Sequence, residues 1–267
     1  MSSLSPKVDL VFRKFFGSEE NKDILLDFLN SILQEKIEDI EITNPYDLTK
    51  YKVTRASIIQ IKAKDNEGSL YNIELQLGSD KFYDRRALFY WSRLYSDQLN
   101  ESEIYSNLKK TIGIHILDFN KLPGLDYHNE YKLTNVLTNE QLNDDFELHF
   151  IELKKFNKDL EPVSSSLERW ITFFNKSLQY NQNNIPDQLA VDNTIAKAIT
   201  KLEVMGLSDD ERDLYEEQLK DNRDYANQLY NLHYDIVTNL FKEGQTIEFI
   251  AKITGLSRGE IQSIKDL

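Results

Sequence analysis

The stretch that most restricts the fold of this chain is SIIQIKAKDNEGSLYNIELQ, residues 57–76. Apolar and polar residues alternate in both halves of it, which predicts two β-strands that each have one apolar and one polar face. Between them, DNEG at residues 65–68 suits a type I turn that is closed by Gly68 in the left-handed conformation. We therefore expect an antiparallel hairpin whose three-residue loop contains a bulge.

The register of this hairpin decides which side chains meet. A three-residue loop pairs Asp65 with Ser69 and so places Gln60 opposite Glu74. A two-residue loop would shift the pairing by one residue and place Gln60 beside Ile73. In the first register, one face of the hairpin packs against a core. The other face carries the candidate site residues Gln60, Lys62, Glu74 and Gln76.

The segments around the hairpin predict an α/β fold. Apolar residues recur at helical spacing in residues 5–16, 18–35, 80–99 and 165–181. Further strands are predicted at residues 37–42, 111–119, 126–135 and 147–153. The stretch TIGIHILDF, which begins at Thr111, is nearly continuous in apolar residues, as is typical of a buried strand.

Beyond residue 182 the β character disappears. The sequence predicts helices at residues 187–205 and 208–240, and two short helices within residues 243–267. In the last segment, Ser257 and Glu260 have the spacing of a capping box. We therefore predict one domain at residues 1–182 and a helical C-terminal domain at residues 183–267, which ends in a helix-turn-helix-like segment.

The composition limits the functions that this fold can serve. The 267-residue chain has a net charge of −13, which opposes non-specific binding to nucleic acid, so any DNA contact needs a local basic surface. It contains no cysteine, which excludes disulfides and thiolate metal sites and fits a reducing compartment. No apolar run is long enough for a membrane span and the first residues lack a signal-peptide core, so we expect a cytoplasmic protein.

Several common kinds of site find no support in the sequence. No Gly-rich phosphate loop and no GxSxG motif occurs. The four histidines show no spacing typical of a zinc site. Because His115 and His149 lie in apolar predicted strands, we interpret them as core residues.

Three pieces of the chain point together to one family. They are PKVDLVF at residues 6–12, the segments IKAKD and NIELQ of the hairpin, and Arg85 with Tyr90. In their order and spacing they resemble the recombination-promoting nuclease/transposase family within the PD-(D/E)xK nuclease superfamily. The tail IAKITGLSRGEIQSI, residues 250–264, resembles the C-terminal segment that this family often carries.

This resemblance implies a restriction-endonuclease-like α/β fold, in which helices flank a mixed central sheet and the active site lies on a bent hairpin. It also implies hydrolysis of DNA phosphodiesters with Mg²⁺ or Mn²⁺, which two carboxylates hold. By the resemblance, Glu74 is the second carboxylate, and Asp9 matches an acidic position that can complete the metal shell. Gln76 stands where the superfamily lysine usually stands. The implied catalytic residues are Gln60, Glu74 and Gln76, and the implied metal ligands are Asp9 and Glu74.

DNA is the implied partner. Basic residues that lie close to the site in sequence predict a groove that contacts phosphates. The expected nucleic-acid contacts are Lys62, Lys64, Lys81, Arg85, Arg86 and Tyr90. The helical C-terminal region further leads us to expect a homo-oligomer, most simply a dimer.

At one position the chain departs from the family pattern, which has an aspartate where this chain has Gln60. Glutamine is neutral and a poor ligand for Mg²⁺, which prefers carboxylate and water oxygens. Three interpretations stay open: an inactive family member, a weakly active one that uses Asp9 and Glu74, or a substitution that was introduced to inactivate the enzyme. We expect an endonuclease-like protein with impaired hydrolysis. The alternative is an inactive nuclease-fold protein that acts by binding DNA or by protein assembly.

Overall fold

The computed structural model describes residues 4–48, 60–158 and 163–266. Residues 57–59, where the predicted hairpin begins, lie outside this set. The chain divides into two compact units, Met1–Tyr215 and Glu216–Leu267. The first unit combines a sheet with helices and the second is helical, which confirms the predicted α/β class with a helical C-terminal region. Within the described residues, no helix is both long enough and apolar enough to cross a membrane.

One mixed sheet forms the centre of the first unit. Its strands are β1 (Ile40–Ile42), β2 (Gln60–Asp65), β3 (Leu70–Gln76), β4 (Thr111–Leu117), β5 (His128–Lys132) and β6 (Phe146–Glu152). The strand order across the sheet is β1-β2-β3-β4-β6-β5. The three central strands β3, β4 and β6 run parallel, and β1, β2 and β5 are antiparallel to their neighbours. Residues of β4 and β6 are buried along both strands, as expected for parallel strands with both faces covered.

The hairpin β2–β3 has the predicted three-residue loop. Gln60 pairs with Glu74, which confirms the first of the two registers considered above. Gly68 adopts a φ of +95°, and the Asp65 N–H donates to the Ser69 carbonyl at 3.1 Å. The alternative two-residue loop is therefore excluded.

Helices surround the sheet and make up the second unit. They are α1 (Asp9–Phe16), α2 (Lys22–Ile32), α3 (Tyr83–Ser96), α4 (Ser166–Lys176), α5 (Asp187–Ala190), α6 (Asn193–Val204), α7 (Asp209–Lys242), α8 (Ile247–Thr254) and α9 (Arg258–Lys265). Aromatic rings join α1, α2 and α4 into one core cluster of Phe12, Phe15, Phe16, Phe28, Trp170, Phe173 and Phe174. On one face of the sheet, α3 packs its Tyr83 and Ala87 against Leu148 and Phe150 of β6.

The predicted elements occur in the predicted order but with different ends. The first helix begins at Asp9, three residues later than the capping serine and proline predict, because residues 6–8 form a turn in which Ser5 Oγ accepts from the Lys7 N–H. The strand predicted at residues 37–42 is shorter and begins at Ile40. Such shifts at element ends are usual, because end residues depend on contacts that lie far away in sequence.

The two compact units do not divide where the sequence places a boundary. Helix α6 packs against α2 and α4, and it buries its apolar side chains there: Ile195, Ala198, Ile199 and Leu202. Lys201 also donates to Asn21 Oδ1 at 2.6 Å. Residues 183–215 therefore belong to the first compact unit by their contacts. Whether residues 183–267 fold as a separate domain stays a prediction.

The second unit has a small core of its own. Val237 of α7 packs with Ile250, Ile261 and Ile264 of the two terminal helices. The turn between these helices holds Gly255 at a φ of +75°. The predicted capping box of Ser257 and Glu260 is confirmed at the start of α9.

Candidate functional site

The predicted site residues lie on one face of the sheet. Paired residues of neighbouring strands share a face, so the pairing of Gln60 with Glu74 and of Glu74 with His115 aligns three polar side chains across β2, β3 and β4. Asn72 lies on the same face, two residues before Glu74. We call the face with these four residues the site face. It is the face on which α3 packs.

Glu74 is the centre of this arrangement. Its side chain is fully buried, and the Arg86 guanidinium of α3 donates from Nη2 to Glu74 Oε1 at 2.5 Å. The guanidinium lies between two rings of its own helix, 5.5 Å from the centre of Tyr83 and 5.9 Å from the centre of Tyr90. A buried carboxylate needs such a cation, because an isolated charge is costly away from water.

A buried histidine and tyrosine lie on the other side of Glu74. His115 Nδ1 lies 3.7 Å from Glu74 Oε2 and 3.1 Å from the Tyr83 hydroxyl, with which it shares a hydrogen bond. Burial, with the nearby charge of Glu74, raises the pKa of Tyr83 well above its ordinary value. The tyrosine therefore keeps its proton. The sequence interpretation of His115 as a core residue omits this contact with the site.

Asp9 supplies a second carboxylate from the first turn of α1. Its pKa is raised from 3.8 to about 7 by its burial first and by the charge of Glu74 second, while Arg86 and Arg13 act to lower it. Asp9 is thus close enough to Glu74 for the charge of one carboxylate to act on the other. The Lys7 ammonium, 2.8 Å from the carboxylate of Asp118 that follows β4, holds the start of α1 against this end of the sheet.

The site face contains a concentration of buried polar atoms without a hydrogen-bond partner. Among the described residues, these atoms are Gln60 Nε2, Asn72 Oδ1, Glu74 Oε2, Arg86 Nε and His115 Nε2. Most buried polar atoms in proteins are paired, so unpaired ones that gather in one place indicate a site that receives a ligand or ion. Oxygen atoms of a carboxylate and an amide are ligands that hard divalent cations accept. The oxygens Glu74 Oε2 and Asn72 Oδ1 therefore fit a divalent cation, whereas the nitrogens of Gln60 and Arg86 do not.

The two glutamines of the predicted site differ in their surroundings. Gln60 is 8% exposed and directly opposite Glu74, so a carboxylate at this position would lie next to that of Glu74. Gln76 is half-buried on the same face, and its side chain donates to the Gly78 carbonyl at 3.4 Å.

The predicted DNA contacts divide into three groups. Lys62, Lys81 and Arg85 are half-buried or exposed near the site, and Arg85 lies over the exposed ring of Phe82 at 5.2 Å. Arg86 is engaged with Glu74, and the ring of Tyr90 contacts the Arg86 guanidinium, as described above. Lys64 is exposed but lies four residues along β2 from Gln60, which separates the two by about 13 Å.

A second cluster, which the sequence patterns did not indicate, lies on the opposite face of the sheet. We call it the back-face cluster: Lys110, His128, Glu130, Lys132, Glu147 and His149. Glu130, Glu147 and His149 bring ligand atoms within 4.8 Å of one another. The spacing of Glu147 and His149, two residues apart on β6, shows in the sequence that they share one face of the strand. Their partners on other strands are not evident from the sequence.

Hydrogen bonds close the back-face cluster internally. His149 is paired at both ring nitrogens, to Glu147 Oε1 at 2.7 Å and to His128 at 2.9 Å. Lys110 lies 2.7 Å from the second oxygen of Glu147. Burial acts to raise the pKa of Glu147, but the hydrogen bonds from His149 and Lys110 outweigh it and lower the pKa to about 2. Burial also lowers the pKa of His128 to about 4. Each carboxylate of this cluster already has a lysine partner, Lys110 for Glu147 and Lys132 for Glu130.

Comparison with known proteins identifies the family. No curated protein and no solved structure gave a significant match to the chain. The sequence model described as PD-(D/E)XK nuclease family transposase, however, matches residues 6–231. This range includes α1 with Asp9, the hairpin with Gln60 and Glu74, and α3 with Arg86. The chain therefore belongs to the PD-(D/E)XK nuclease family of transposases.

Proposed function

We propose that this protein engages DNA through the site face and the adjoining part of α3, and that its Mg²⁺-dependent hydrolysis of phosphodiesters is impaired by Gln60. The observation that carries the proposal is the buried carboxylate of Glu74, which lies opposite Gln60 on the hairpin and whose charge acts on the carboxyl group of Asp9. In this family the metal-binding hairpin has an aspartate at the position of Gln60. Asp9 and Glu74 keep two of the three acidic positions of such a site.

Each residue has a distinct role in this proposal. Asp9 and Glu74 would hold the divalent cation, and Gln60 offers only a neutral amide. A bound cation supplies Lewis acidity, which polarises the phosphate and lowers the pKa of a water molecule. Gln76 would orient that water through its side-chain amide.

The DNA would lie along the exposed side of α3. Lys81 and Arg85 are exposed there and offer positive charge to phosphates. Such a local basic surface is needed because the whole chain has a net charge of −13. The rings of Phe82 and Phe89 are 53% and 57% exposed and provide surfaces on which unpaired bases can stack. Lys62 would add a contact from the hairpin.

The second candidate function is binding without hydrolysis. Gln60 favours it, because removal of one carboxylate from a metal site weakens the site severely. Such a protein would act by holding DNA or by assembling with a second copy or with an active relative. The helical second unit is the natural region for such an assembly.

Plasmid cleavage with Mg²⁺ or Mn²⁺ tests the first proposal. The Gln60→Asp variant restores the missing carboxylate, so we expect it to cleave on the order of a hundredfold faster than the native chain, as a barrier lower by about 2.7 kcal/mol would produce. Glu74→Ala in the Gln60→Asp background removes the activity. Glu41→Gln, which changes an exposed carboxylate on β1, is the matched control and leaves it unchanged. If Gln60→Asp gains no cleavage, the site is placed wrongly.

A further inference from the structure

The contact between Arg86 and Glu74 has the features of a cation site that is already filled. The carboxylate is fully buried, and the guanidinium lies 2.5 Å from Oε1, the oxygen turned toward α3. Tyr83 and Tyr90, one helical turn before and after Arg86, hold the guanidinium between their rings. The side chain thus presents a positive charge directly at the carboxylate of Glu74.

A guanidinium and a divalent cation compete for the carboxylate of Glu74. The two positive charges would lie a few ångströms apart at a buried side chain, where repulsion between like charges is strong. Arg86 binds Oε1 and leaves Oε2 without a hydrogen-bond partner, so a cation on Oε2 is weakened by the neighbouring charge. A divalent cation that takes both oxygens of Glu74 requires Arg86 to leave.

We propose that Arg86 is the resident cation of the site and competes directly with divalent metal ions for Glu74. The proposal rests on the function proposed above, in which Asp9 and Glu74 hold the metal ion. Arg86 then weakens the binding of metal ions at this site. This effect adds to that of Gln60, which stands where the family has an aspartate.

The partial exposure of Arg86 gives its side chain a route to solvent. Its side chain is 30% exposed, whereas Glu74 is buried, so the guanidinium can turn toward solvent without opening the sheet. Its Nε has no hydrogen-bond partner among the described residues, so departure breaks the contact through Nη2 and the stacking on the two rings. Arg85, the neighbouring residue, is exposed and lies over the ring of Phe82.

Binding of Mn²⁺, measured by isothermal titration calorimetry, tests the competition without any need for activity. Arg86→Met keeps much of the length of the side chain but removes its charge. We expect it to bind Mn²⁺ about tenfold more tightly or better, as the loss of one competing charge-assisted hydrogen bond predicts. Arg86→Lys keeps a charge and stays close to the native chain. Arg85→Met removes the same charge from the adjacent residue and is the matched control, with an effect of less than about threefold. Equal dissociation constants for Arg86→Met and the native chain would overturn the proposal.

A second measurement does not depend on whether Arg86→Met folds. Phenylglyoxal modifies accessible arginines, and mass spectrometry reports the extent at each site. In the Gln60→Asp variant, saturating Mn²⁺ should raise the modification of Arg86 and leave that of Arg85 unchanged. If Mn²⁺ leaves the modification of Arg86 unchanged, or does not bind at all, the competition does not exist.

Variants of Glu74 separate this proposal from the one on which it rests. The comparison is the native chain against Arg86→Met, each with and without Glu74→Gln. If Mn²⁺ binding needs Glu74 but Arg86→Met does not strengthen it, only the competition fails. If binding survives Glu74→Gln and is lost in Glu147→Gln, the ion binds the back-face cluster. In that case the metal site of the proposed function fails as well.

Discussion

The two charged clusters of the sheet lie on opposite faces and contain similar residues. They differ in whether their polar side-chain atoms have hydrogen-bond partners. Each combines a buried glutamate, a buried histidine and a basic partner. On the back face, Glu147 and His149 have a partner at every side-chain oxygen and ring nitrogen. On the site face, one oxygen of Glu74 and one nitrogen of His115 have none among the described residues.

The direction of the pKa shifts separates the clusters in the same way. The pKa of Glu147 is lowered to about 2, because hydrogen bonds outweigh its burial. The pKa of Asp9 is raised to about 7, because burial and a neighbouring carboxylate outweigh the arginines. The back-face cluster thus stabilises the charged form of Glu147, whereas burial and the charge of Glu74 favour the protonated form of Asp9. Carboxyl groups with such raised pKa values gather at functional sites.

The largest expected effect is on stability. His149→Phe keeps a ring at this position but leaves Glu147 and His128 without a partner, so it should lower the free energy of unfolding by about 3 kcal/mol. Glu74→Gln should change it by less than about 1 kcal/mol, because it relieves the repulsion from Asp9 while it weakens the contact with Arg86. Denaturation with urea, followed by circular dichroism, measures both. A larger loss for Glu74→Gln than for His149→Phe would reverse the roles assigned to the two clusters.

The two faces should also respond to pH in opposite directions. Because the pKa of Asp9 is raised, the native state holds a proton that the unfolded chain releases between pH of about 4 and 7, so this group makes the protein less stable as pH rises. Because the pKa of His128 is lowered, the unfolded chain binds a proton at this residue before the native state does. The contribution of neutral His128 to stability is therefore lost as pH falls from about 6.5 to about 4. Asp9→Asn should therefore gain stability relative to the native chain as pH rises from about 4 to about 7. Unfolding curves at several pH values would contradict this if the difference between the two proteins stays constant.

Much of the site was predictable because it is local. The alternation along the hairpin and the turn at Gly68 determine that Gln60 pairs with Glu74, and both are visible within twenty residues of sequence. The ion pair of Arg86 with Glu74 was not predictable, because it depends on where α3 crosses the sheet. The sequence offers Arg85 and Arg86 side by side and does not indicate which one turns inward.

The same reason explains the other differences. The back-face cluster needs β5 and β6 to align Glu130 with His149, and neither strand reveals its partner by itself. Helix α6 belongs with the first unit because its apolar side chains meet α2, which lies far away in sequence. Local patterns predict elements well, but they do not show which distant elements meet.

The smallest expected effect concerns DNA. Arg85→Met should weaken binding of an oligonucleotide a few fold and reduce the salt dependence of binding by about one ion, as the loss of one phosphate contact predicts. Lys64→Met also removes one positive charge, at a position distant from the site, and is the control. Fluorescence anisotropy at several salt concentrations measures both. An equal loss for the two variants would show that DNA does not follow α3.

The most direct test of the difference between the two faces is metal binding in paired variants. In the Gln60→Asp background, Mn²⁺ titration by calorimetry should show that Glu74→Gln abolishes binding and that Glu147→Gln leaves it unchanged. This result would establish the site face as the metal site of this protein. Binding that survives Glu74→Gln and disappears with Glu147→Gln would contradict that assignment.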